Sequence, residues 1–554
     1  MLNPDFSLTE DFPAVTREQW REVVERDLKG APFEKKLVSH TYEGIDIQPV
    51  YTAEDWPSEG DPSGFAGFQP FTRGGSAVGP LVGGWDIRQE VIVPDLAEAN
   101  EAVMSELERG TTSLLLRLDL AGRAGIDPDH DLAADTAGRD GLMLYRLADL
   151  EQILQGAHLD MIGLALDAGQ SFLPAAGMVL ALWRKSGFDP QNLRGAFNAD
   201  PLGELARHGE LPDSFDATMQ RVADLAAFVS ESYPKVTTVG VGTHPHHASG
   251  ATAAQDLAFS MATAVTYLRH LTDAGLDVSA AAKQMQFGYS IGCNVFLAIA
   301  KLRAARKMWR FIAKQAGVDE DGQAMSMHVR TSNRVLTQRD PWVNLLRNTV
   351  CTLAAGVADA DAVTSAPFDA AIGAPDQFSR RIARNTQIIL QEESHLSRVV
   401  DPAGGCWFIE KLTDDLVDKA YPIFQEIEKQ GGMYEALSSG WVGEQIDSAF
   451  APRLKNIARR KDAVIGVSEF PNLSEKPIVK DEPDYNTLRT AAVERTNERK
   501  TDKTAEMADA IAAKVDKPGD LTKQVVELMQ AGGTLGEAQA AIFKDAKPAS
   551  ANPL

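Results

Sequence analysis

Cysteine is scarce, with only Cys293, Cys351 and Cys406 in 554 residues. They lie far apart without ligand spacing, which argues against a zinc site or a disulfide framework and points to a reducing compartment. Positive charge is also short: 55 Lys and Arg face 78 Asp and Glu, for a formal net charge of −23. A nucleic-acid partner would need a clustered basic face, and an anionic membrane would repel such a chain, so neither is expected. Apolar runs such as residues 294–300 fall far short of the roughly 18 residues a membrane helix requires. Met1 to Glu10 carries two acids and no basic or apolar run, unlike a signal or transit peptide. No Gly-x-x-x-x-Gly-Lys sequence occurs, which removes P-loop nucleotide chemistry. The expectation is a cytoplasmic globular protein.

Hydrophobic residues make up 44% and charged residues 24%, ordinary for such a chain. Thr16 and Gln19 make a capping box before a helix with Trp20, Val23, Val24 and Leu28 on one face and Gly30 as its stop. A Pro- and Gly-rich loop follows, from residue 55 to 84. Eight β-rich apolar runs then alternate with helix-period segments, at residues 85–92, 113–120, 161–168, 193–198, 236–242, 285–290, 326–331 and 360–364. One such helix places Leu257, Met261, Ala264, Leu268 and Leu271 on one face before Gly275, and another ends at Gly317. Eight strands each followed by a helix predict an α/β fold, a closed (β/α)8 TIM barrel. Past residue 420 the strand signal fades, and residues 415–429 and 434–439 read as helices. Residues 476–503 are highly charged with few apolar positions, an amphipathic pair covers 503–515 and 521–543, and a Pro/Ala/Ser-rich end reads as disordered. The predicted division is an N-terminal arm (1–60), the barrel (61–420), a helical linker region (421–545) and a tail (546–554).

The chemistry readable from single residues is thin. Gly240-Val241-Gly242 follows a strand, but Pro245 stands where a dinucleotide loop needs its third glycine. His244, His246 and His247 cluster at a strand's C-terminal end, where barrel enzymes place catalytic groups. No carboxylate or cysteine adjoins them in sequence to complete a metal set, so backbone-bonded loop histidines are expected. Lys301, Arg303, Arg306, Lys307, Arg310 and Lys314 make one strongly basic helix, read as an outer-ring helix with a solvated face rather than a phosphate grip. Glu392 and Glu393 with Asp401 could be paired carboxylates, with a charge pair ending a helix as the plainer reading.

Longer motifs carry a resemblance. Phe71-Thr72-Arg73-Gly74 followed by Trp85-Asp86-Ile87-Arg88-Gln89 resembles the barrel entrance of the methylmalonyl-CoA mutase family. Gly125-Ile126-Asp127-Pro128-Asp129-His130 and Lys301-Leu302-Arg303-Ala304-Ala305-Arg306 resemble two further segments. So do Arg381-Ile382-Ala383-Arg384-Asn385-Thr386-Gln387, Gln391-Glu392-Glu393, Asp401-Pro402-Ala403-Gly404-Gly405 and Gly533-Thr534-Leu535-Gly536-Glu537. Within the family, the segments 28–37, 44–52 and Ala199-Asp200-Pro201-Leu202-Gly203 look like small (beta) subunits.

The resemblance implies adenosylcobalamin-dependent isomerisation of an acyl-CoA, with CoA threaded along the barrel axis. It implies a tyrosine wedge, arginines, a glutamine and a histidine in catalytic chains. Aligned on those motifs, the wedge falls on Pro80 and its nearby arginines on Leu81 and Gly83. The strand threonine and glutamine become Ala196 and Asn198, and a downstream arginine becomes His208. The histidine becomes Pro245, with His244 as the alternative one residue away, and the last arginine and serine become Gln284 and Gln286. No Asp-x-His-x-x-Gly cobalamin signature is present, and only Ala538 to Leu554 follow the Thr-Leu-Gly-Glu helix. The expectation is a non-catalytic small subunit that binds no cofactor alone and no metal. It would pair as a heterodimer with a catalytic large subunit that carries adenosylcobalamin. Two alternatives remain: a catalytic large subunit of a split mutase whose cobalamin domain is a separate chain, and a CoA-ester-binding protein. The barrel axis is expected to be plugged by side chains.

Overall fold

The computed structural model describes residues 14–498, 502–513, 515 and 519–543. The predicted tail, the first residues of the arm and parts of the segment 503–515 lie outside them. Thr16 caps the first helix, Arg17–Asp27, through the capping box read from the sequence. A short hairpin, Ser39–His40 with Asp46–Ile47, follows.

Eight parallel strands then close into a barrel: β1 Asp86–Val91, β2 Ser113–Arg117, β3 Gly163–Asp167, β4 Arg194–Ala199, β5 Lys235–Gly242, β6 Met285–Ile291, β7 Ser326–Thr331 and β8 Ala362–Thr364. Each pairs with the next, and β8 returns to β1 with Ala362 opposite Asp86. All eight fall on the predicted runs. Side chains alternate across each strand, and the outward set is apolar and fully buried, including Leu114, Leu116, Leu164, Leu166, Phe197, Val241, Phe287, Tyr289, Met327 and Val329. Removing each such side chain from water contributes roughly 1.5–3 kcal/mol, and the helices supply the cover. Ala253–Asp273 buries the predicted Leu257, Met261, Ala264, Leu268 and Leu271, and Gly275 follows it at φ +101°.

The motif around residues 381–391 locks the barrel entrance. Arg384 bonds the buried Glu106 at 2.6 Å, Trp85 Nε1 donates to Gln387 at 3.1 Å, and Gln391 donates to the Trp85 carbonyl at 2.9 Å. Gly84 must be glycine there, since a Cβ would lie 2.6 Å from the Gln391 amide and φ is +70°.

The basic helix, Val295–Gln315, corrects a sequence reading. Lys301, Arg303 and Arg306 are buried rather than solvated. Lys301 bonds Asp256 at 2.6 Å, and Arg306 donates to the carbonyls of Ala358 and Asp359. Arg303 meets Asp401, Glu410 (2.5 Å) and Ser63 (2.6 Å). The reason is a second helical layer. The helix read over 415–429 starts at Trp407, runs to Lys429, and covers this face. Asp401 is therefore an ion-pair partner, while Glu392 and Glu393 are exposed, so no paired carboxylates form. The charged stretch after residue 476 holds a helix, Tyr485–Asn497. The last helix, Leu535–Ile542, docks on the barrel: Thr534 bonds Asp127 at 2.5 Å, and Leu535 N donates to the Tyr145 carbonyl at 2.8 Å.

Candidate functional site

The inward faces of the strands are polar except for an apolar layer of Leu115, Ala165 and Ala196. In the lower half, Arg88 of β1 crosses the barrel, with Nε bonded to Ser113 at 3.0 Å and a terminal nitrogen to Gln286 of β6 at 2.9 Å. Burial pushes the Arg88 guanidinium down to about 10. Beside it, Arg194 pairs with Asp86, and Ala196 packs with Leu115 and Ala165. These groups fill the axis at the N-terminal half of the strands. The C-terminal half opens into a cavity of about 530 Å³, so the expected plug occupies one end only.

The cavity wall is a set of closed ion pairs. Glu90 takes Arg330 at 3.0 Å and Arg117 at 3.4 Å; Arg117 also reaches Asp140 at 2.5 Å and Asp167 at 3.6 Å. Arg123 shares Asp140 at 2.8 Å, and Arg207 pairs with Glu204 at 3.1 Å. Burial raises the Asp167 carboxyl, but Arg117, Arg123, Arg207 and Arg330 more than offset it, so its pKa is depressed. Burial pushes Asp200 up to about 6 despite its bonds from Tyr267, Gly203 and Gly242. No cavity arginine in this ring stands free to take a ligand carboxylate. The Gln170 amide differs: it is buried in the wall and neither of its polar atoms has a hydrogen-bond partner.

The histidine triplet sits on a short helix, His244–Ser249, and its bonds go to side chains rather than to backbone. His244 Nδ1 meets Ser290 at 2.7 Å; His247 meets Asp256 at 2.9 Å and Ser332 at 2.9 Å. His246 packs on Phe259. Burial, reinforced by Arg330 and Arg207, holds the His244 imidazole neutral. Among the described residues no group of three potential metal ligands converges. The cavity does pair hydroxyls with imidazoles, Ser290 with His244 and Ser332 with His247, whereas Asp200 is used as an acceptor by Tyr267, Gly203 and Gly242.

Of the aligned site residues singled out in the sequence, Asn198, His208, Pro245, its alternative His244, and Gln286 line this cavity. Asn198 holds φ +50° at an irregularity of β4 and donates to the Leu166 carbonyl at 2.9 Å; His208 lies 3.4 Å from Glu204. Ala196 is buried in the layer beneath. Gln284 is not in the cavity: it caps the helix before β6 and accepts from Thr238 at 2.6 Å. Pro80 is also elsewhere. It is buried in a loop at the opposite end of the barrel, where neighbouring Gly79 faces Asp359 and Val400. Glu90, Arg117, Asp167, Gln170 and Arg330 escaped the sequence reading, although alternation in β1 (Asp86, Arg88, Glu90 against Ile87, Gln89, Val91) carries their signal.

A family model described as methylmalonyl-CoA mutase matches residues 40–547. The chain belongs to the methylmalonyl-CoA mutase family. The methylmalonyl-CoA mutase small subunit of Streptomyces virginiae is 45% identical over 479 residues, covering 85% of this chain and 73% of the relative. The small subunit of Propionibacterium freudenreichii subsp. shermanii is 35% identical, covering 85% and 71%. The methylmalonyl-CoA mutase of Rhizobium meliloti is 31% identical over 529 residues, covering 94% and 74%. The family is one of adenosylcobalamin-dependent isomerases, and the barrel is its fold.

Proposed function

We propose that this chain is a non-catalytic small subunit that pairs with a catalytic mutase chain in the cytoplasm, the pair interconverting methylmalonyl-CoA and succinyl-CoA. The observation that carries the reading is Gln286, which stands where the family has a serine and accepts from Arg88 at 2.9 Å across the axis where the family threads CoA. Asn198 and His208 at the cavity in place of the family's glutamine and arginine support it. Losing charge-stabilising groups together removes the terms that lower a barrier.

The residues present do not fit adenosylcobalamin. The cavity has the size of a small-ligand pocket, Pro80 lies at the far end with no aromatic ring to press on a corrin, and His247 has both ring nitrogens engaged. The cofactor belongs, in this account, to the partner. The N-terminal arm, residues 1–60, is assigned to partner contact: helix Arg17–Asp27 buries none of its side chains and leaves Val23 exposed. The proposed division keeps a barrel unit over 61–420 and a helical unit over 421–545, with helix Trp407–Lys429 spanning the boundary between them. The alternative of a split large subunit is disfavoured, because relatives at 45% and 35% identity bear the small-subunit name.

Copurification with a catalytic mutase chain tests this, with each chain assayed alone and together with adenosylcobalamin. Turnover should appear with the catalytic chain, and this chain alone should give none. Turnover by this chain supplied only with a separate cobalamin domain would overturn the proposal.

A further inference from the structure

Cys293 and Cys351 are distant in sequence, but barrel closure removes the distance. β6 ends at Ile291, so Cys293 lies in the short loop that opens helix Val295–Gln315. Cys351 lies within Val343–Val357, the helix after β7, which packs beside it. Ser332, the first residue past β7, donates its N–H to the Ile291 carbonyl at 2.9 Å and presents the same N–H to the Cys351 sulfur. Gly292 backs onto Val335, where a Cβ would lie 3.4 Å from its methyl. The two loops are therefore seated on each other, and the two thiols face and interact.

The pair is chemically asymmetric. Cys293 is exposed and Cys351 is buried. Interaction with Cys351, then Arg347, lowers the Cys293 pKa against the opposing effect of burial. The same interaction, then burial, push Cys351 up. Cys293 also directly precedes Asn294, the N-cap of a 21-residue helix, where the helix dipole favours a thiolate. An accessible thiol of lowered pKa next to a second thiol is the arrangement of oxidation-sensitive cysteines.

We propose that Cys293 and Cys351 are an oxidation site for hydroperoxides, with Cys293 the attacking thiol and Cys351 the resolving one, closing an intramolecular disulfide. In the first step the Cys293 thiolate bonds one peroxide oxygen, the O–O bond breaks, and the other oxygen leaves as water after taking a proton. Cys293 becomes a sulfenic acid. The Cys351 sulfur then attacks the Cys293 sulfur, the S–O bond breaks, and the departing hydroxide takes the Cys351 proton. Two thiols and one hydrogen peroxide give one disulfide and two waters, the thiols losing two electrons and the peroxide gaining them. The link would tie the β6 loop to the helix behind β7, next to Ser332 and its bond to His247.

The test treats the full chain, alone and with its catalytic partner, with stoichiometric hydrogen peroxide, followed by intact mass and peptide mapping. The expected result is a loss of two hydrogen masses, a peptide joining Cys293 to Cys351, and return of both thiols on adding dithiothreitol. Cys351→Ser should instead trap Cys293 as a sulfenic acid that reacts with dimedone. Because Cys351 is buried and that variant risks misfolding, Cys293→Ser, at an exposed position, gives the second arm: the linked peptide must vanish while Cys351 stays reduced. Free, alkylatable Cys293 and Cys351 after peroxide treatment would overturn the proposal, and so would Cys293 linked only to Cys293 of another chain.

Discussion

Replacing Arg303 with methionine exposes how the basic helix is held. Arg303 is fully buried between Asp401 and Glu410, whose side chains are 2% and 3% exposed. The substitution keeps most of the volume but strands two buried carboxylates. Ser63 and the Gly405 N–H still reach Glu410, and Arg73 stays 3.5 Å from Asp401, so the loss is partial rather than total. Breaking a buried ion pair by removing one partner costs about 3–5 kcal/mol. At about 2.1 cal/mol/K per residue, a 554-residue chain has an unfolding entropy near 1.2 kcal/mol/K, so the thermal midpoint should fall by about 3–4 °C. Calorimetry on the triple variant Arg303→Met, Asp401→Asn, Glu410→Gln supplies the control. It removes all three charges, and Asn tolerates the φ of +47° at position 401, so it should recover more than half of the loss. A triple variant as unstable as the single one, or a single variant shifted by less than about 1 °C, would refute the assignment of the cost to stranded charge.

Burial pushes the Asp359 carboxyl up to about 6. Its folded pKa lies above the ordinary value near 3.9, so its contribution is unfavourable above pH 6 and disappears as pH falls below 4. Asp359→Asn, which accepts the φ of +58°, should stabilise the protein at pH 7.5 by up to about 3 kcal/mol. Thermal midpoints from pH 4 to 8 should show that gain shrinking below pH 6; a pH-independent offset would contradict the reading. Thr534→Ala removes a buried capping box and the bond to Asp127, at a cost of about 1–3 kcal/mol. Limited proteolysis should release the segment after residue 519 first, and unchanged cleavage would show that the tail is held by its apolar face alone.

The barrel was legible because parallel strands buried on both faces read as short apolar runs, and glycines such as Gly275 and Gly317 punctuate the helices between them. What the sequence did not yield were facts of pairing. Lys301, Arg303 and Arg306 share a helix face that looks solvated until Trp407–Lys429 is known to cover it. Cys293 and Cys351 meet only because β6 and β7 are neighbours. The aligned site residues proved separable for the same reason: Asn198, His208 and Pro245 come from strand ends and the segments that follow them, Gln286 from the start of β6, and Pro80 and Gln284 from before their strands. Linear spacing says little about which barrel end a loop occupies unless each strand's direction is applied to it.

On the proposed function, catalysis in the assembled mutase owes nothing to this chain's own cavity. Steady-state turnover of the complex carrying Gln286→Ala and Asn198→Ala in this chain, with assembly verified by gel filtration, tests it most directly. Turnover within about twofold of the unmodified complex is expected. A loss of about a hundredfold, the size expected when a positioned catalytic donor is removed, would mean that this barrel performs the chemistry itself.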